Sequence, residues 1–78
     1  MAGNSTVEGV VAAEWCSMLG LVTPSLEGNF FDLGGNSLLA VTLVERIESR
    51  LGVELSLEDF FLDGRLSVLL DLARSEVR

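Results

Sequence analysis

The stretch FFDLGGNSLLAVTLVERIESRLG, residues 30–52, holds both the sharpest break and the clearest periodic run in the chain. At 100° per residue Leu39, Ala40, Leu43, Val44, Ile47 and Leu51 fall within about 140° of one another, so Ser37 to Leu51 is predicted to be a helix with one core face. Each large aliphatic buried there contributes about 1.5–3 kcal/mol. Gly52 ends the run, as glycine does where the backbone must turn left-handed. Gly34, Gly35 and Asn36 break the pattern on the other side. The helix start therefore falls at Asn36 or Ser37, and one of the two is expected to act as its N-cap, for about 1 kcal/mol.

The opposite face of this helix carries a second message. With Ser37 set at 0°, Glu48 lies at about 20°, Val41 at about 40°, Glu45 at about 80°, Leu38 at about 100° and Thr42 at about 140°, away from a core sector centred at about 270°. Leu38 and Val41 are thus expected in solvent beside the serine hydroxyl, rimmed by Glu45 and Glu48, which is the make-up of a small protein-docking patch. Thr42 and Glu45 are weaker docking candidates. Gly34 and Gly35 let the backbone turn and leave no side chains to shield the hydroxyl. A phosphoryl group attached at such a helix start would meet free N–H groups and the positive end of the dipole, worth about 0.3–1 kcal/mol.

Outward from this segment, Val7, Val11, Trp15, Met18 and Leu19 share one face of a first helix, stopped by Gly20. Glu14 lies near the edge of that face, and Cys16 reads as a small apolar helix residue. Residues 1–5, MAGNS, have no periodicity and are expected to be a disordered N-terminal segment, leaving 6–78 as one domain. Residues 21–36 form a loop longer than the usual ~12–15 residue limit for structureless connections. Leu21, Val22, Leu26, Phe30, Phe31 and Leu33 are expected to pack it onto the helices, with Phe30 or Phe31 as the core anchor. Beyond Gly52, Ser56 followed by Asp59 marks the start of a short helical turn, and Phe60 or Phe61 should close the core. A last helix is predicted from Leu66 to Val77, with Leu66, Leu69, Leu70, Ala73 and Val77 as its stripe. The fold class is all-α: a small bundle of three main helices plus one short helix, with a long first loop.

Composition excludes several functions. The 78 residues carry 12 acidic groups against 5 basic ones, all arginine, for a net charge of −7, and contain no histidine. Nucleic acid is a poor partner for such a surface; a basic protein surface is a better one. A Ser-His-Asp triad is impossible, a Walker-type phosphate loop lacks its lysine, and one cysteine without histidine makes no transition-metal set. Counting twelve residues from Asp32 or Asp59 reaches Leu43 or Leu70 where a calcium loop needs glutamate. No apolar run approaches the ~18 residues of a membrane span, and the N-terminus lacks the charged start and apolar core of a signal peptide, so a cytoplasmic, monomeric protein without catalysis of its own is expected.

The run DLGGNSLL, Asp32–Leu39, resembles the phosphopantetheine attachment motif of acyl and peptidyl carrier proteins. The resemblance extends from Trp15–Gly20 to the last helix, and Gly-Gly-Asn-Ser is similar to the peptidyl carrier (thiolation) domains of nonribosomal peptide synthetases rather than to fatty-acid or polyketide carriers, where aspartate more often precedes the serine. The resemblance implies Ser37 as the anchor of a 4′-phosphopantetheine taken from coenzyme A, with Gly34, Gly35 and Asn36 around it and Leu38, Val41, Thr42 and Glu45 facing partners. It also implies those partners: a phosphopantetheinyl transferase, an adenylation enzyme, and condensation, tailoring or thioesterase enzymes. Gly64-Arg65 stands where the family often has Pro-Thr, so the last helix must find another cap, with Asp63 as the candidate. Glu14 replaces a frequent aliphatic residue. An acyl carrier, and an acidic helical interaction domain with Ser37 only as a cap, are the competing readings.

Overall fold

The computed structural model describes residues 6–76. Four helices follow in order: α1 (Val7–Leu19), α2 (Ser37–Leu51), the short α3 (Leu57–Leu62) and α4 (Leu66–Glu76). Helix α1 packs against both α2 and α4. The sequence features predicted as punctuation act as such. Gly20 and Gly52 close α1 and α2 at φ 70° and 69°, a left-handed conformation that costs glycine little. Ser56 caps α3 by accepting the Asp59 N–H at 3.2 Å, and Thr6, which the sequence reading did not single out, caps α1, its Oγ1 accepting the Gly9 N–H at 3.0 Å. The predicted residue Val77, and the N-terminal segment 1–5, lie outside the described residues.

The predicted faces meet in one core. Ala40, Leu43, Val44 and Ile47 of α2, Leu66, Leu69, Leu70 and Ala73 of α4, and Val11 and Trp15 of α1 are buried, with Val10 buried beside the predicted set, while Val7, Met18, Leu19, Leu39 and Leu51 are half-buried at its edge. Trp15, Phe30 and Phe60 are fully enclosed and stack around one another, with ring centroids 5.5 Å apart for Trp15–Phe30 and 5.7 Å for Phe30–Phe60. Phe30 is therefore the anchor of the long loop, Phe60 closes the core, and Phe61 is exposed.

The loop itself is held differently from the sequence expectation. Val22, Leu26 and Leu33 are exposed, while Leu21 and Phe31 do pack against the core. Backbone hydrogen bonds replace the missing side-chain contacts. The carbonyls of Gly28 and Leu26 accept the N–H groups of Leu66 and Ser67, each at 3.1 Å, and the Phe30 N–H donates to Gly64 O at 2.8 Å. These carbonyls satisfy the first free donors of α4, so the loop caps that helix. Asp63 is not its cap: the Asp63 carboxylate instead accepts from the Arg65 N–H and guanidinium, ahead of the helix. Arg65 also reaches Glu27 at 3.3 Å, adding a second tie across the same seam. Gly64 is buried in this seam, and a Cβ there would lie 2.8 Å from the Phe31 ring, so the position takes glycine.

Glu14 is buried among the apolar residues of α1, and α2 supplies its counter-charges. Arg46 Nε donates to Oε1 at 2.8 Å and Arg50 NH1 to Oε2 at 2.9 Å. Burial alone would push this carboxyl up, but the hydrogen bonds from Arg50 and Arg46 outweigh it and hold it below the ordinary glutamate value. Glu14 is thus a polar latch between α1 and α2.

Candidate functional site

The site is built by the turn from Phe30 to Asn36. Asn29 Oδ1 accepts the Phe31 N–H at 2.9 Å, Leu33 N–H donates to Asn29 O, and Gly35 N–H donates to Phe30 O at 2.9 Å, which winds residues 29–35 into a tight coil. The two glycines then act for different reasons. Gly34 has φ 110° and open space where a side chain would stand, so it is the conformation that requires glycine there. Gly35 is half-buried, and a Cβ on it would come within 2.2 Å of Phe30 Cε2. Gly35 is therefore a close-packing position, seated on the aromatic core, where the sequence suggested only access.

Asn36 follows in extended conformation, φ −142° and ψ −178°, and is the N-cap of α2: its Oδ1 accepts the Leu39 N–H at 2.9 Å and its carbonyl accepts the Ala40 N–H at 2.8 Å. This decides between the two capping candidates. Ser37 is the first residue of the helix, not its cap, which removes the reading in which the serine serves only as a cap. Ser37 is exposed, and among the described residues its hydroxyl engages no hydrogen bond, because the N–H groups it could accept are already taken by Asn36. The described residues enclose no cavity.

Around the serine, Leu38 is 75% exposed, as the angular reading requires. Val41 is only half-exposed, a correction to its placement in solvent: counting degrees gives a direction and says nothing of cover from neighbouring segments. Thr42 is half-buried too, and its Oγ1 donates to Leu38 O at 3.1 Å, so its hydroxyl is spent within the helix. Glu45 is exposed at the rim. Glu48 is not part of that rim, because its carboxylate accepts the Leu55 N–H at 2.8 Å and ties down the connection to α3. Phe61, expected only as an alternative to Phe60 in the core, and Leu62 are exposed instead, and the half-buried Phe31 lies beside them, its ring 5.9 Å from that of Phe61. The consecutive Phe-Phe-Leu at 60–62 was the available signal, read only for its core member.

Ser37 thus stands exposed at the first turn of α2, reached over two glycines, with its hydroxyl in no hydrogen bond among the described residues. The model of the phosphopantetheine attachment site family matches residues 9–73. The chain belongs to that family. Its sequence relatives include the phosphinothricin tripeptide synthetase PhsC of Streptomyces viridochromogenes, 38% identical over 88% of this chain, and the PF 1022-synthetase of Rosellinia sp., 46% identical over 91% of it. These regions amount to 6% and 2% of the two synthetases, so the chain spans a small fraction of such relatives. Among solved structures it is similar to the peptidyl carrier protein in complex with the phosphopantetheine transferase Sfp and coenzyme A, with a TM-score of 0.80, 27% identity, and coverage of 90% of this chain and 91% of that one. BlmI, a type-II acyl carrier protein from Streptomyces verticillus, gives a TM-score of 0.77 at 28% identity, covering 88% of this chain and 83% of its own.

The phosphopantetheine-binding chain is thus an all-α carrier domain of the kind found in nonribosomal peptide synthesis, and the group it carries is 4′-phosphopantetheine. The residues present fit that group. A free hydroxyl is the atom a phosphodiester needs, and the N–H groups of Ser37 and Leu38 lie at the unsatisfied start of α2, where a phosphate is favoured. Among the described residues no helix is long and apolar enough to cross a membrane.

Proposed function

We propose that Ser37 is the residue that carries the phosphopantetheine, and that residues 6–78 act as a peptidyl carrier domain served by separate enzymes. The observation that supports this most is the exposed, unbonded Ser37 hydroxyl beside an N-cap already supplied by Asn36. In the transfer, an Oγ lone pair of Ser37 forms the new bond to the β-phosphorus of coenzyme A. The phosphorus–oxygen bond to 3′,5′-ADP breaks, and the hydroxyl proton passes to a base of the transferase. The bound group supplies a flexible arm with a terminal thiol, on which an aminoacyl, aryl or peptidyl unit is held as a thioester.

The chain's own residues position and present. Phe30 and Gly35 fix the turn, Gly34 keeps the approach open, and Leu38 with half-exposed Val41, Thr42 and Glu45 offers an apolar grip with an acidic edge. A tethered unit reaches successive active sites at high effective concentration without release. The domain itself is non-catalytic in this reading; a phosphopantetheinyl transferase, an adenylation enzyme and condensation, tailoring or thioesterase enzymes act on it. Incubation with coenzyme A, magnesium and a broad-specificity transferase should add the mass of one phosphopantetheine to the folded protein. No gain in mass would refute the proposal.

A further inference from the structure

The structure assigns Asn36 as a positioning residue for the modification of Ser37: by taking the helix cap, its side chain keeps the serine hydroxyl out of backbone hydrogen bonding and at the first helical position. This rests on the reading of Ser37 as the attachment residue. Serine caps helices about as well as asparagine, so Asn36 and Ser37 are adjacent competitors for the start of α2. Asn36 holds the cap, through Oδ1 to the Leu39 N–H at 2.9 Å. Were Ser37 to hold it, the helix would begin one residue later. Ser37 would become extended, and its Oγ would accept the N–H of Leu39 or Ala40.

The neighbouring geometry shows why the competition is won at residue 36. Gly35 is seated on the Phe30 ring and its N–H is bonded to Phe30 O, so the chain reaches Asn36 at a fixed place beside α2. The Asn36 side chain is exposed, and among the described residues its one hydrogen bond is the cap, so it has no packing duty there to confuse with this one. A serine oxygen that accepts a backbone N–H has a lone pair engaged and sits elsewhere, and both effects oppose its attack on the β-phosphorus of coenzyme A. A displacement of about 1 Å is enough to cost up to about a hundredfold in rate.

The test compares the wild type with Asn36→Ala, which cannot cap, and with Asn36→Thr and Asn36→Asp, which can, in the full chain well below its melting temperature. Transfer kinetics with coenzyme A and a broad-specificity transferase are read beside the 13Cα and 13Cβ shifts of Ser37 in the unmodified protein. Asn36→Ala should lower kcat by about tenfold or more with KM within about twofold, and move the Ser37 shifts from helical towards extended values. Both capping variants should keep kcat within about threefold of wild type and Ser37 helical. Wild-type kcat in Asn36→Ala, an unshifted Ser37 in that variant, or a Thr or Asp variant as slow as Ala would each overturn the inference. A wild type that accepts no phosphopantetheine would defeat the attachment reading instead.

Discussion

Removing the Asn36 side chain takes the cap from α2 and is expected to cost about 1 kcal/mol of folding stability. Ser37→Ala, one residue on, removes an exposed hydroxyl that has no partner among the described residues and should change stability by no more than about 0.5 kcal/mol. Urea denaturation of the two variants separates them, and a larger loss for Ser37→Ala than for Asn36→Ala would return the cap to the serine. Gly35 supplies a third contrast at this scale. Its missing Cβ is the space filled by Phe30, so Gly35→Ala must push the ring or the loop aside, at a cost of about 1–3 kcal/mol. A Gly35→Ala variant of unchanged melting temperature would show that the loop is not seated on the core. The sequence marked these positions as special without saying which did what, because a pair of glycines looks the same whether it is needed for φ or for contact.

Among the elements, α1 and α2 are joined by a buried carboxylate that titrates. The Arg50 and Arg46 hydrogen bonds hold Glu14 below its ordinary value of 4.5 against the opposing effect of burial. The folded protein thus binds this proton less readily than the unfolded chain, so the stability that Glu14 contributes is complete above about pH 4.5 and is lost as pH falls through the lower folded value. Glu8, held low by Arg74, and Asp63, held low by Arg65, act in the same direction from exposed positions. Thermal melts from pH 7 to pH 3 should show a steeper acid loss for the wild type than for Glu14→Gln; identical acid profiles would place the loss elsewhere. The helix boundaries were legible because Gly20 and Gly52 follow directly on the end of an apolar period. The latch was not, since its arginines lie 32 and 36 residues away from Glu14. Nor was the cap of α4, which comes from the carbonyls of Leu26 and Gly28, groups that every residue type carries.

For the whole molecule, charge and the attachment turn act together. The net charge is −7, and each of Arg46, Arg50, Arg65 and Arg74 is engaged with a carboxylate, so little positive field reaches an approaching protein. Association with a transferase that presents a basic rim should slow as salt rises, with dissociation little affected. Leu38→Ala should speed dissociation while leaving the melting temperature of this exposed position unchanged. Stopped-flow measurements over a salt series resolve both, and a salt-independent association rate would remove the electrostatic part of the account. The bundle was readable as a whole because three helices repeat their apolar residues at 3.6-residue spacing. The exposed side was readable at Leu38 and Glu45 but not at Val41 and Thr42, whose partial burial depends on what the folded chain places beside them. Fragmenting the modified protein and reading which residue holds the added mass decides whether Ser37 bears the group. One phosphopantetheine is expected, on Ser37 alone, and none on Ser37→Ala. A modified Ser37→Ala protein, or an adduct on Ser49, Ser56, Thr42 or any other residue, would contradict that assignment.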